Sequence, residues 1–401
     1  VKEVDLAVED DPFPLARQIA RQLHGAFVPL DTQFGIARVV VKRTSGILQY
    51  DFARFKGNSI GEDLRLRDFS INALGLDLTA ALSQDTSQLL DPTAGLPDLE
   101  RRSLRHCYES AFDDDPLRML RAFRIAAQLD FQVAAETEEK IRSHTGQIGR
   151  VAPERITEEL LRLLATSSAS RTIEKTLAVG LLWDVLPEVA RSPLPDLTRL
   201  KRMEDILANL GGDARPPSFR SYVAEPAVFC VCQSEILKLA ALLLDLEWKP
   251  GPKPSFERLR LSSRDSVAVS QLVSGARDAP WRKWGIVTED LTVYRFFRDH
   301  APHGPGIVLL GLADEASPHC RDRLASLKEA FDQRRTTCVD PPRILDGRQI
   351  IETLGLSPGP QVGWLLEQVR EAQVVGRVHS REDALAFARK LDPIGGRSPK
   401  T

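Results

Sequence analysis

The residues best suited to chemistry are Asp113-Asp114-Asp115-Pro116-Leu117-Arg118, continued by Arg121 and Arg124. Asp caps free N–H groups and Pro tolerates the first helical position, so the run predicts a helix over Pro116–Leu129. Arg118, Arg121 and Arg124 then share one helical face, while Leu117, Leu120, Phe123 and Ala127 lie towards another. Asp115 precedes Arg118 by one helical turn, so a carboxylate and a guanidinium can project together. That pair can read the edge of a nucleobase. Cytosine and adenine each present an exocyclic amine beside a ring acceptor; a carboxylate accepts from the amine and Arg donates to the ring nitrogen. Uracil and guanine carry a carbonyl at that place, which a carboxylate repels. An ordinary surface ion pair has the same spacing and contributes only a few tenths of a kcal/mol. The motifs around the pair favour the base-reading role.

Two further groups carry chemistry. Glu3 and Asp5 alternate along a strand-like stretch and so point to one face, and Asp51 ends another such stretch. Two or three carboxylates on adjacent strands can hold a pair of Mg²⁺ ions about 4 Å apart, the arrangement that activates a hydroxyl and neutralises a leaving pyrophosphate. A solvated sheet face is the commoner setting for acid-x-acid taken alone. Arg67, Asp68 and Asn72 alternate with apolar Phe69, Ile71 and Ala73 and are suited to phosphate, sugar and hydroxyl contacts. A capped helix start with a local ion pair is the competing reading. The turn-rich stretch Asp91–Leu99 reads as a structural connector.

The elements that must position these groups follow from composition and pattern. With 401 residues and 42% hydrophobic content the chain can bury sizeable cores and is long enough for two to four domains. A net charge of −2 excludes a global basic field, so nucleic-acid binding must use local patches. The candidates are Arg101-Arg102 with Arg105, Arg258–Arg264, Arg334-Arg335 and Arg389-Lys390. Five scattered cysteines fit a reducing compartment and a cytoplasmic protein. Cys230 and Cys232, in an apolar strand-like setting, read as core thiols rather than metal ligands. The seven histidines form no ligand pattern. No apolar run approaches the ~20 residues needed to span a bilayer. Strand signals at Val4–Val8, Gly25–Pro29, Ile36–Lys42 and Ile47–Phe52 surround a helix at Pro14–Leu23. From Asp91 onward helical periodicity dominates, with helices expected at Glu136–His144, Pro153–Leu164, Ser168–Val179 and Leu197–Leu210. The pattern is a small α/β head followed by a long helical body.

The ordered series EVDLAV, DFARF, RDFSINALGLD, DPTAGLPDL, DDDPLRMLRAFRIAAQLDF and VAPERITEELLRLL resembles the class II tRNA nucleotidyltransferase and bacterial poly(A) polymerase family. The likeness covers residues 1 to about 165, and Pro341–Leu391 resembles the tail of bacterial members; residues 170–340 match in texture only. The resemblance implies an α+β fold. A polymerase-β-like mixed sheet, here partial, forms the head at 1–90, and all-helical neck (91–165), body (166–335) and tail (336–401) follow. It implies that Glu3 and Asp5 hold two Mg²⁺ ions, and Asp51, by its strand position, could supply the third catalytic carboxylate. Arg67, Asp68 and Asn72 would contact ribose and triphosphate, and Asp115 and Arg118, beside Asp114, would act as a protein template for CTP and ATP. Arg121 and Arg124 continue that nucleotide-binding helix, and Glu154 and Arg155 begin the helix that braces it. The partner would be the 3′ end of tRNA, extended with C and A.

This chain departs from the family pattern in four places. The family's Gly-Gly-x-x-Arg-Asp segment would precede Val1, so the chain reads as lacking its natural beginning. Glu3 stands where Asp is usual, and Leu66 replaces the first arginine of an Arg-Arg-Asp motif, with Arg65 beside it. The connection from Arg54 to Arg65 is short, where a longer loop is associated in the family with switching from C to A. A CC-adding enzyme, a poly(A) polymerase and a non-catalytic RNA-binding homologue therefore stand as alternatives. Some bacterial relatives carry a His-Asp phosphohydrolase module in the body, and here Leu244-Asp245 stands in its place. Without the His a primary metal ligand is lost. Incubation with a 2′,3′-cyclic phosphate should accordingly give no hydrolysis, and turnover would refute that expectation.

Overall fold

A computed structural model describes residues 3–391, apart from 33, 45, 187–195, 211–217, 228–230, 246–258, 285–288 and 316. The chain divides into two compact units, Val1–Val151 with Val179–Asp184, and Ala152–Ala178 with Val185–Thr401.

The first unit begins with a four-stranded mixed sheet of β1 (Glu3–Val8), β2 (Ala26–Asp31), β3 (Ile36–Arg43) and β4 (Gly46–Arg54), in the order β1-β4-β3-β2. β1 runs parallel to β4, whereas β3 is antiparallel to both its neighbours. A parallel pair needs a crossover. The helix Pro12–Gln22 follows β1, entered through Asp11, whose side chain accepts from the Phe13 N–H. Its Ala16 and Ala20 pack with Ala37, Val39, Val41 and Phe52, and Leu6 and Val8 join that core. Small alanines let the helix lie close to the sheet. One face is thereby buried, and the alternating residues Glu3, Asp5, Arg38 and Asp51 are left on the other.

Beyond the sheet the chain is held by polar ties. Asp91 accepts from the N–H groups of Gly95 and Leu96, and the stretch expected as a plain connector contains a helix, Gly95–Glu100. Buried Asp98 accepts from Ser70 Oγ at 2.5 Å and pairs with Arg105 at 2.8 Å. A Cβ on Gly95 would stand 2.2 Å from the Ser70 carbonyl oxygen, so glycine is required for that approach. The long helix of the acid-arginine run spans Arg118–Leu129 and starts later than the sequence suggests. Asp113 and Asp114 close a separate short helix, Ala111–Asp114, and Asp115 is extended. The Asp-Pro signal was real, but it marks the break between two helices rather than an N-cap.

The second unit is helical. The helices Pro153–Leu164 and Ala169–Ala178 are followed by Leu197–Ala208, Gln233–Leu243, Ser263–Asp278, Gly304–Asp314 and Pro318–Gln333. Gly304–Asp314 is buried along almost its whole length, so its sequence is apolar all round. Near the C-terminus Gly347–Leu354, Pro360–Val374 and Arg381–Leu391 enclose their own core of Leu345, Ile350, Leu365, Val369, Ala384 and Ala388. Cys232 is half-buried and directly precedes the helix Gln233–Leu243, so it is not the core thiol expected, and Cys230 lies outside the described residues. No helix among the described residues is long and apolar enough to cross a membrane.

Asp245, the residue beside Leu244, has a different task from metal binding. Arg199, 5% exposed, donates to both Asp245 oxygens at 2.8 Å and to Asp314 at 2.6 Å. Burial works to raise the Asp245 carboxyl, but the hydrogen bonds and charge of Arg199 hold it below its ordinary value. Such a depressed carboxyl contributes stability above its unfolded pKa, near 3.9, and loses it as pH falls through the folded value. Arg199→Ala should cost about 3 kcal/mol in urea unfolding at pH 7, because Asp245 and Asp314 lose the cation they share. It should also flatten the acid limb of the stability curve below pH 4. Unchanged stability would show that the cluster carries no net weight.

Candidate active site

Sheet register brings the acids together. Asp5 lies opposite Asp51 across β1–β4, and Asp51 lies opposite Arg38 across β3–β4. Glu3 is two residues before Asp5 on the same face. Carboxylate oxygens of Glu3, Asp5 and Asp51 all lie within 4.8 Å of one another. Glu3 is open to solvent and Asp51 is sheltered, with side chains 55% and 18% exposed. Three hard oxygen donors at this spacing suit a divalent cation of the Mg²⁺ type.

Arg38 is the residue of this cluster that the sequence did not reveal. Its Nε and Nη2 donate to the two Asp51 oxygens at 2.7 and 2.6 Å, and Nη2 also donates to Glu3 at 3.0 Å. The hydrogen bond to Asp51, and then the nearby acids, raise its already high pKa. Its one sequence signal was a lone charge in the alternating strand IARVVV. That placed Arg38 on the polar face but gave no partner, because strand register is not written in either strand alone.

The second motif forms a network of its own. Arg67 donates through Nε and Nη2 to buried Asp63 at 3.0 and 2.8 Å. Asp68 accepts from the Phe69 N–H, from Asn72 Nδ2 at 3.3 Å and from Arg121 at 3.3 Å. Phe69 and Ala73 are fully buried, Ile71 nearly so, and Ser70–Asn72 forms a tight 3₁₀ turn. The polar residues therefore sit on a rigid turn, and Asp68 ties that turn to the arginine helix.

The three arginines of the shared face meet different partners. Arg118 is only 8% exposed. Its Nη1 donates to Tyr108 Oη at 2.6 Å and to the Ala111 carbonyl at 3.2 Å, and Nη2 donates to the Leu66 carbonyl at 3.4 Å. Arg121 pairs with Asp68, and Arg124 donates to Gln128 at 2.5 Å. Arg118 is thus a buried fixture rather than a surface side chain. Among the acids, Asp113 accepts from Gln147 at 2.7 Å, which holds its carboxyl below the ordinary range. Asp114 accepts from Tyr108 Oη at 2.8 Å, and half-buried Asp115 accepts from the Leu117 N–H at 3.3 Å. Glu154 and Arg155 stand exposed at the start of Pro153–Leu164, in the second unit.

Comparison with known proteins gives these groups a context. Residues 1–105 match the family described as the poly(A) polymerase head domain. Residues 130–192 match one described as a probable RNA and SrmB binding site of polymerase A. The chain is 33% identical over 393 residues to a CC-adding tRNA nucleotidyltransferase of Geobacter sulfurreducens, covering 97% of this chain and 87% of that protein. It is 28% identical over 424 residues to an A-adding tRNA nucleotidyltransferase of Deinococcus radiodurans, covering 95% and 89%. Its fold is similar to that of a CCA-adding enzyme in an apo form, with a TM-score of 0.71 at 19% identity over 99% of this chain and 88% of that one.

The geometry at Arg38 is testable without any assay of turnover. Arg38→Ala should lower stability in chelator by about 1 kcal/mol, the range of a part-exposed ion pair. The variant should then gain more in Tm than the parent on titration with Mg²⁺, since the unpaired carboxylates are left to the ion. Equal Tm gains in the two proteins would show that Arg38 and the ion do not share these oxygens.

Proposed function

The chain belongs to the family of tRNA nucleotidyltransferases and poly(A) polymerases, and from that membership we propose that it extends the 3′ end of tRNA with C residues from CTP. It needs no nucleic-acid template. The observation that carries the reading is the convergence of Glu3, Asp5 and Asp51 within 4.8 Å on the open face of the mixed sheet. The chemistry is in-line attack of the tRNA 3′-oxygen on the α-phosphate. The new O–P bond forms as the bond to pyrophosphate breaks. Glu3 and Asp5, with Asp51, would hold Mg²⁺, which when bound lowers the pKa of the attacking hydroxyl and offsets charge on pyrophosphate. The donor set fits that ion: all oxygen, on two adjacent strands.

The other residues position the nucleotide. Arg67, Asp68 and Asn72 are assigned to ribose and triphosphate, with Asp68 oriented by Arg121. Asp115 accepts from the exocyclic amine of cytosine or adenine. Arg118 has three of its N–H groups used within the protein, and of the five that guanidinium carries, Nε–H and one more remain for the ring. Arg124 extends the same helix. Glu154 and Arg155 are assigned to the nucleotide site as supports, on the strength of the motif alone.

The short connection after β4 favours an enzyme that stops at CC. The Lys56 N–H donates to Asp63 and the Asn58 N–H to Glu62, each within 2.8 Å, so the segment is fastened to the helix Ile60–Arg65 that follows it. A tethered segment of this length leaves little backbone for the rearrangement that would re-aim the site from C to A. Completion to CCA is the second reading, since cytosine and adenine share the amine that Asp115 would accept.

Labelled nucleotides decide between them. With Mg²⁺ and tRNA lacking its 3′ end, CTP alone should give two additions, and ATP added afterwards should give none. A terminal A would establish CCA addition, long A tracts a poly(A) polymerase, and no incorporation a binding protein. Asp115→Ala should relax discrimination against UTP and GTP by about 10- to 100-fold, the 1–3 kcal/mol of one bidentate base contact. Full discrimination in that variant would remove Asp115 from the base-reading role.

A further inference from the structure

Tyr108 belongs to none of the motifs discussed so far, yet it joins two of their members. Its hydroxyl accepts from Arg118 Nη1 at 2.6 Å and donates to Asp114 at 2.8 Å. The Arg118 guanidinium carbon also lies 5.5 Å from the centre of the Tyr108 ring. We propose that Tyr108 is a positioning residue for nucleotide selection, its hydroxyl fixing the plane of the Arg118 guanidinium through the exposed carboxylate of Asp114. The inference rests on the reading that Asp115 and Arg118 select the base.

The hydroxyl can adopt only one orientation between these neighbours. A carboxylate only accepts and a guanidinium only donates, so the phenolic proton must point to Asp114 and a lone pair to Arg118. Burial raises the phenol's pKa, which keeps that proton in place at neutral pH. The two backbone acceptors, Ala111 and Leu66, hold the guanidinium from other directions. The Leu66 contact is long at 3.4 Å, so it contributes little to orientation. Tyr108 is the shortest of the three contacts and comes from the segment before the short helix. It therefore sets the angle at which the unused N–H groups of Arg118 leave the protein. A shift of about 1 Å in a positioning group can cost on the order of 100-fold in rate. Selection is more sensitive still, because cytosine and uracil differ only in where their donors and acceptors lie.

Tyr108→Phe keeps the ring and its packing and removes only the shared hydroxyl. We expect its thermal unfolding and tRNA affinity to match those of the parent. The ratio of kcat/KM for CTP over UTP should fall about tenfold, the worth of one hydrogen bond to a charged group. Asp114→Asn should fall less, because its amide oxygen can still accept the phenolic proton. Asp114 is exposed, so this second variant puts no core at risk. Asp115→Ala is measured alongside. If Asp115→Ala loses selectivity while Tyr108→Phe and Asp114→Asn keep it, the role of Tyr108 is overturned and base reading stands. If Asp115→Ala keeps full selectivity, the base-reading premise itself fails. If Tyr108→Phe lowers stability and the rates with CTP and UTP equally, the residue is merely structural and the proposal is wrong.

Discussion

Three carboxylates held within 4.8 Å of one another repel, and the first unit is arranged around that repulsion. The acids can be kept together because the opposite face of their sheet is fixed by the helix Pro12–Gln22 and the Phe52 core. Arg38 lies between two of them, pairing with Glu3 at 3.0 Å and Asp51 at 2.6 Å. The cost of gathering like charge is thus met by packing on one side and a cation on the other. A divalent ion would enter a site that is already charged and already partly neutralised.

The same device recurs with arginine buried rather than exposed. Arg118 and Arg199 are both nearly sealed, and both have acceptors prepared for them. Arg199 has four of its five N–H groups engaged within the protein, on Asp245, Asp314 and the Ala241 carbonyl. Arg118 has three engaged, on Tyr108 and the Ala111 and Leu66 carbonyls. The one ties three helices together, and the other is tied to a tyrosine and two backbone carbonyls. Asp245 and Asp314 share the charge of the buried Arg199.

Sequence patterning was informative wherever one segment determined its own structure. The period-2 alternation of Glu3–Val8 placed Glu3 and Asp5 on one face, and the helix Pro153–Leu164 begins and ends where its periodicity does. It failed where two segments decide together. Arg38 finds Asp51 only through a hairpin register, and Tyr108 finds Arg118 only because an intervening turn folds one back on the other. The Asp-Pro signal misled for a related reason. Asp113 and Asp114 finish a helix that is too short to show periodicity, so the cap residues were read with the wrong neighbour. The family resemblance supplied roles for the motif residues but was silent on these cross-links.

The strand pairing also governs when the site exists. Arg38 and Asp51 face each other across the antiparallel pair β3–β4, whose strands are neighbours in the chain. Glu3 and Asp5 ride on β1, the end strand of the described sheet, attached through a parallel pairing to β4 alone. Fraying of that single strand would carry off two of the three acids and leave the hairpin, the Tyr108 network and the helical unit intact. The three-acid cluster would then be lost on warming at a lower temperature than the fold itself. The cluster would come apart before the chain melts.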